Sequence, residues 1–310
     1  MKAFAVHRIV PALAVAAALA ACNSDSGEST SDTSSAFASN STSTTTPACT
    51  PARPAEADAA PLTLSFGGLE RSYSLALPPD YDGQSAYPLV FSLHGFGSNK
   101  ETMEASTSLA RVGSERGFVV VTPDSVPPQW NIFDSADQAD DFGFIHALVD
   151  DLVLRLCIDP DRVFAAGHSN GAAFAAFLVC RPPFAFAAVA MVSATTPSVC
   201  PTGVNPATVA FAGTADSLVP YAGGAVGGGP VEIPPALETI ASYATRNGCD
   251  PTPTRDTPAE GAERLSYTGC DEGRDVVFYT IIDGDHAWPS TDEFSATERI
   301  LDFFDTHPPR

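Results

Sequence analysis

From Leu62 onward the spacing of apolar residues changes along the chain in a regular way. LTLSF and RSYSLALP alternate apolar and polar residues, the period-two pattern of half-buried antiparallel strands. PLVFSLHGFG is a short apolar run ending in glycines, which predicts a strand buried on both faces. KETMEASTSLARVGSERG has helical spacing and closes at Gly117, and FVVVTPD is another buried strand. FGFIHALVDDLVLRLC predicts an amphipathic helix, with Asp140 and Asp141 suited to its positive N-terminal end. Then follow a strand (DRVFAAGHS), a helix (NGAAFAAFLVC), two strands (FAAVAMVSA and ATVAFAGT) and a helix closed by Asn247-Gly248 (PALETIASYATRNGC). A strand, RDVVFYTIID, and a last helix, STDEFSATERILDFFDTH, complete the chain. Strands alternating with helices from 88 to 307 predict an α/β fold with a mainly parallel sheet and helices on both faces. The two leading strands would form an antiparallel edge. Such a sheet binds ligands at the carboxyl ends of its strands.

Before Leu62 the pattern is different. MKAFAVHRIVPALAVAAALAAC opens with Lys2 and Arg8 and continues as an apolar stretch too short to be a stable span, which reads as a secretory signal. It ends Leu19-Ala20-Ala21-Cys22, which resembles the lipobox of bacterial lipoproteins, where the cysteine is lipidated and becomes the first mature residue. The bland alternative is an ordinary signal peptide with a cysteine by chance. Residues 23–60 begin with small polar residues that cannot bury enough apolar surface to order themselves, and continue as TPARPAEADAAP. The expected organisation is thus a signal over 1–22, a disordered tether over 23–60 and one catalytic domain over 61–310. The membrane is a partner only through the lipid, and the setting is the cell envelope or the medium.

The 310 residues are 44% hydrophobic and 17% charged, enough for a sizeable core, and carry a formal net charge of −21. That charge excludes nucleic acid as a natural partner, because phosphate backbones need a basic surface. Seven cysteines are present. With Cys22 lipidated, Cys49, Cys157, Cys180, Cys200, Cys249 and Cys270 remain, consistent with an oxidising compartment. Six cysteines allow 15 pairings. Short separations favour Cys180–Cys200 and Cys249–Cys270, which leaves Cys49–Cys157 to staple the end of the tether to the body. No cysteine spacing suggests a metal site.

Gly167-His168-Ser169-Asn170-Gly171 lies between a predicted strand and a predicted helix. This is the context of a G-x-S-x-G nucleophile elbow, in which the glycines remove side chains where strand and helix crowd the turn. A serine N-cap is the bland alternative. A serine nucleophile needs a base, and the base an orienting carboxylate, in the chain order Ser, acid, His. Only His286 and His307 follow Ser169, and His286 sits in the loop between the last strand and the last helix. Asp216 follows the strand ATVAFAGT, whereas Asp285 abuts His286 and Asp250 lies in a polar, proline-rich segment. The candidates are therefore Ser169, Asp216 and His286. The oxyanion of an acyl-transfer intermediate needs two N–H donors, for which Asn170 and Phe96, in the loop His94-Gly95-Phe96-Gly97, are in place. His94 reads as a structural hydrogen-bonder. Trp288 and Trp130, in loops near the same rim, are candidate substrate platforms, although packing is the commoner fate of a tryptophan.

The chain from about Leu62 resembles the secreted α/β-hydrolase esterases grouped with polyhydroxybutyrate depolymerases and feruloyl esterases. The landmarks are RSYSLALPPDYDG, PLVFSLHGFG, DDFGFIHALVDDLV, IDPDRVFAAGHSNGAAF, FAGTADSLVPYAGG and DGDHAWPS. The resemblance implies the α/β-hydrolase fold, Ser169 as nucleophile, Asp216 as acid and His286 as base. It also implies carboxylic-ester substrates, either hydroxyalkanoate oligomers and polymers or feruloylated polysaccharide, and no cofactor. Cys180, Cys200, Cys249 and Cys270 look like this family's disulfide positions. The chain departs from the family at Ala172, where a further glycine is frequent, and at Asp283-Gly284-Asp285, where a glycine run is common. No separate polymer-binding domain is visible. The rival readings are a serine peptidase of the same fold and a non-catalytic polysaccharide- or polyester-binding lipoprotein.

Overall fold

The structure is a computed structural model that describes residues 48–54, 62–197, 199–203 and 205–307. The signal, Cys22 and most of the tether lie outside the described residues. A ten-stranded sheet organises the fold. Two antiparallel strands, β1 (Leu62–Phe66) and β2 (Leu69–Ala76), open it as the alternating pattern predicts. β2 pairs antiparallel with β4 (Val119–Pro123), and β4 lies parallel to β3 (Tyr87–Leu93). Parallel pairing then continues from β3 through β5 (Ile158–His168), β6 (Ala188–Val192) and β7 (Ala207–Gly213) to β12 (Val276–Ile281). This is the α/β-hydrolase architecture, a mostly parallel sheet with antiparallel edges.

The alternation of side chains along the strands feeds two cores. Leu89, Phe91 and Leu93 of β3 pack on one face with Phe144 and Leu148 of α3 (Asp141–Arg155), Phe174 of α4 (Asn170–Leu178) and Tyr243 of α5 (Ala236–Arg246). Val90, from the same strand, faces the other way. It joins Met103 of α1 (Lys100–Thr107), Leu109 of α2 (Leu109–Glu115) and Phe304 of α6 (Ala296–Thr306). Strands such as VVVTP and ATVAFAG are buried at every position, which is why they read as continuous apolar runs.

Three features differ from the sequence expectation. The single helix expected over 100–117 is two, broken at Ser108, whose φ of 53° is left-handed and whose N–H closes α1 on Glu104 O. A short pair, β8 (Gly224–Ala225) and β9 (Glu232–Ile233), lies outside the main sheet. A hairpin of β10 (Thr254–Ala259) and β11 (Ala262–Tyr267) extends the sheet beyond β12. β10 is an exposed edge strand, TRDTPA, so no apolar alternation announces it.

The disulfides are Cys49–Cys157, Cys180–Cys200 and Cys249–Cys270, the pairings that the separations favoured. Residues 48–54, expected within the disordered tether, are instead docked on the body. Cys49 N–H donates to Gln84 O at 2.8 Å and Arg53 N–H to Gly83 O at 2.7 Å. A Cβ at Gly83 would meet Arg53 O at 2.2 Å, so the contact requires glycine.

Candidate active site

Ser169 lies between the end of β5 and the first turn of α4. Its backbone, at φ 53° and ψ −119°, is strained for a non-glycine residue. The strain is held by close packing. A Cβ at Gly167 would come 2.3 Å from Gly171 O, and one at Gly171 would come 2.2 Å from Leu93 O. Both positions must therefore be glycine for strand, turn and helix to pack this closely. Ser169 N–H donates to Val192 O at 2.9 Å, which ties the turn to β6. The result is a hydroxyl at the N-terminus of a helix, lifted clear of the sheet.

The other two candidates come to it from the ends of β7 and β12. His286 Nε2 is 2.7 Å from Ser169 Oγ, and His286 Nδ1 is 2.7 Å from Asp216 Oδ2. A carboxylate can only accept, so Nδ1 carries the proton and donates to Asp216. The lone pair of Nε2 then faces the serine hydroxyl, the tautomer needed to take its proton. The Asp216 side chain is 1% exposed. Its other oxygen accepts from Leu218 N–H at 2.9 Å and Val219 N–H at 2.8 Å. Asp216 is thus both the turn-former of the bland reading and the partner of His286, and its own turn fixes its aim.

Some of the support for His286 has no signal in the sequence. A Cβ at Gly213 would meet Gly284 O at 2.2 Å, so the β7 end and the His286 loop touch backbone to backbone. Ala215 N–H donates to Gly284 O, and Ser193 Oγ to Ala287 O, each at 2.9 Å. Ser193 itself has a φ of 55°. Its place at the end of FAAVAMVSA was the one available clue. Asp283 and Asp285 are exposed on the same loop.

The two amides proposed as oxyanion donors lie on the same rim. Asn170 is the first residue of α4, where helix N–H groups lack intrahelical partners. The Phe96 N–H makes no hydrogen bond among the described residues. Its loop is braced by Gly97 N–H to Pro128 O at 2.7 Å. His94 is buried and structural: Nδ1 donates to Gly95 O at 2.8 Å, and Nε2 accepts from Ser125 N–H at 3.1 Å.

The tryptophans require correction. Trp130 is 0% exposed, stacks on Phe174 with ring centroids 4.9 Å apart, and donates from Nε1 to His94 O at 2.9 Å. Trp288 is 8% exposed and donates to Thr297 Oγ1 at 3.0 Å. Neither ring is free to carry a substrate, because each polar tip has a buried partner and each body lies in the core. Trp130 still bears on the site through its backbone, whose N–H donates to Asn170 Oδ1 at 2.9 Å.

His168, beside the candidate serine, has its ring 5.3 Å from that of His286. Burial, with the nearby His286 adding to it, pushes its pKa down to about 4. Burial likewise lowers the pKa of His94 and of His146, whose ring nitrogens find no partner among the described residues. Unfolded imidazoles take up protons near pH 6.5. The folded chain resists that uptake, so these groups remove stability as pH falls from about 6.5 toward 4 and are neutral in effect above it. The melting temperature is therefore expected to be lower at pH 5 than at pH 7.5. His146→Gln, away from the site, should narrow that gap in a calorimetric scan. A melting temperature that rises toward pH 5 would contradict the assignment.

With the geometry in place, the chain can be compared with known proteins. Residues 71–219 match the family described as Esterase PHB depolymerase. Residues 71–219 belong to this esterase family. Over 239 residues it is 27% identical to Feruloyl esterase D of Neurospora crassa, covering 73% of this chain and 77% of that enzyme. It is also 27% identical over 230 residues to Feruloyl esterase B of Piromyces equi, covering 70% of this chain. Here the chain spans less than half, 42%, of its relative's length. The fold matches that of the acetyl xylan esterase from Aspergillus awamori at a TM-score of 0.56 and 15% identity, over 76% of this chain and 94% of that one. The protein is a carboxylic ester hydrolase.

Proposed function

We propose that the chain hydrolyses carboxylic esters by a Ser169–His286–Asp216 triad through an acyl-enzyme. The observation that carries this reading is the pair of 2.7 Å contacts that link Asp216, His286 and Ser169 in one line. Ser169 Oγ attacks the ester carbonyl carbon while His286 Nε2 takes the hydroxyl proton. Asp216 keeps the imidazole in the right tautomer and stabilises the imidazolium. The Asn170 and Phe96 N–H groups receive the oxyanion. Collapse of the tetrahedral intermediate breaks the carbon–oxygen bond, and His286 returns its proton to the leaving alcohol. Water, deprotonated by His286, then attacks the acyl-Ser169, and a second collapse releases the acid. The relatives' names point to feruloyl and hydroxyalkanoate esters as the substrates to try first. The three disulfides support an oxidising, extracytoplasmic compartment. Together with the Cys22 signal, they favour a lipid-anchored enzyme.

The test is to trap the intermediate. Acid-quenching a reaction with 4-nitrophenyl butyrate within the first turnovers should leave a butyryl group on the peptide containing Ser169, seen by mass spectrometry. A butyryl group on another residue, or turnover with an unmodified Ser169 under burst conditions, would sink the reading. The peptidase alternative predicts that an anilide is cleaved at least as fast as the matching nitrophenyl ester.

A further inference from the structure

The loop after β4 does two things at once. On its inner side it braces the site: Ser125 N–H, Pro128 O and Trp130 N–H are bonded to His94, Gly97 and Asn170 respectively. On its outer side it walls a cavity of about 350 Å³, which falls within the size of small-molecule sites. Two of its lining residues, Asn131 and Asp141, are buried and engaged. Asp141 accepts from Arg71 at 2.7 Å and from Asn131 N–H at 2.7 Å, and the Asn131 amide bonds Ser135 and Ala139. For three other lining residues the reverse holds. The side chains of Gln129, Asp137 and Gln138 line it and make no hydrogen bond among the described residues.

Two exposed aromatic rings sit on segments joined to these groups, one by a hydrogen bond and one along the chain. Phe96 is 64% exposed and adjoins Gly97, which is bonded to Pro128 O. Phe133 is 67% exposed and follows Asn131 by two residues. Two carboxamides offer donors and acceptors, and Asp137 adds an acceptor. The ligand that suits this set is uncharged, dense in hydroxyl groups and has flat C–H faces for the rings. An anion is disfavoured by Asp137 and by the net charge of −21. A polyester chain, lacking hydroxyl donors along its length, would leave Asp137 without a partner.

We propose that Gln129, Asp137 and Gln138 form a subsite for a glycosyl group of the ester substrate, placed beside Ser169 by the loop that also braces the oxyanion side. This assignment rests on the esterase reading above and selects a sugar ester over a polyester as the substrate class.

The experiment compares 4-nitrophenyl acetate with partially acetylated xylotriose, cellotriose and arabinotriose in the wild type and in Gln129→Ala/Gln138→Ala. For the preferred sugar, the ratio of kcat/KM on the trisaccharide acetate to that on 4-nitrophenyl acetate should fall about tenfold, the scale of two lost neutral hydrogen bonds. Should Gln129→Ala lower the melting temperature, Gln138→Ala alone, at an exposed position, should lower the ratio about threefold. A ratio that stays the same for all three sugars, or equal losses on both kinds of substrate, would overturn the subsite. Saturation-transfer NMR of the unacylated trisaccharides with Ser169→Ala reads the subsite without turnover. Sugar binding weakened by the glutamine changes, with no Ser169-dependent hydrolysis, would keep the subsite and reject the esterase mechanism. Absence of sugar binding alongside Ser169-dependent hydrolysis would do the opposite.

Discussion

Ser169→Ala is expected to lower kcat/KM on 4-nitrophenyl acetate by about 10⁴-fold or more, with little change in folding. The size follows from what the hydroxyl does. In the proposed mechanism no acyl-enzyme can form without Oγ, and what remains is substrate held near the Asn170 and Phe96 amides, a residual catalysis of about 10³–10⁴ over water in serine hydrolases. Folding is spared because the turn is held by backbone contacts, Ser169 N–H to Val192 O and the packing of Gly167 and Gly171, rather than by the side chain. His286→Ala should bring a loss of similar size. Because the residues act as one unit, the double variant should be no worse than the Ser169 variant within about threefold. Steady-state kinetics on the three purified proteins checks both statements. A Ser169 variant with a tenth of wild-type activity would leave no role for the elbow, and additive losses would mean that serine and histidine serve separate steps.

Where the chain was legible, a local signal existed. The order of strands and helices could be read because buried parallel strands are apolar throughout. The elbow could be read because steric crowding forces glycine at 167 and 171. His286 and Asp216 were picked out by chain order and by their place after strands, and their separation of 70 positions in sequence closes to 2.7 Å in space. What stayed hidden depends on contacts between segments far apart. β10 carries no apolar stripe because its outer edge faces water. Trp130 and Trp288 looked like rim residues because they sit in loops, yet burial is decided by Phe174 and Thr297 on other elements. Ser193 supports the base through a hydrogen bond across 94 positions, which no motif records. The turn at Asp216 and the start of α3 each make a second, long-range contact that local sequence does not show. Asp216 turns its own loop and also bonds His286, and Asp141 opens α3 and also bonds Arg71.

Asp141 is the second such residue, and it leads to the largest expected change in stability. The sequence assigns it to the start of α3, and there it is, as the first helical residue. It is also 1% exposed, and its Oδ1 lies 2.7 Å from the Arg71 guanidinium on β2. Arg71 is itself 4% exposed, lies 4.0 Å over the Phe144 ring and donates to Asp124 O. The pair joins the antiparallel edge to the helix that floors the cavity. Burial raises the pKa of Asp141 against the pull of the Asn131 amide and of Arg71. Removing the arginine would leave a carboxyl group in the core with its cation gone. Arg71→Met, which keeps much of the apolar stem, is therefore expected to destabilise the fold by about 3–5 kcal/mol, the range for breaking one side of a buried pair. In a domain of this size that corresponds to a drop in melting temperature of roughly 10 °C. The double change Arg71→Met/Asp141→Leu should recover part of the loss, because it removes the stranded carboxyl as well. Chemical denaturation of the two variants beside the wild type separates the outcomes. A small effect of Arg71→Met, or no recovery in the double variant, would place the stabilisation in the packing of Arg71 against Phe144 rather than in the ion pair.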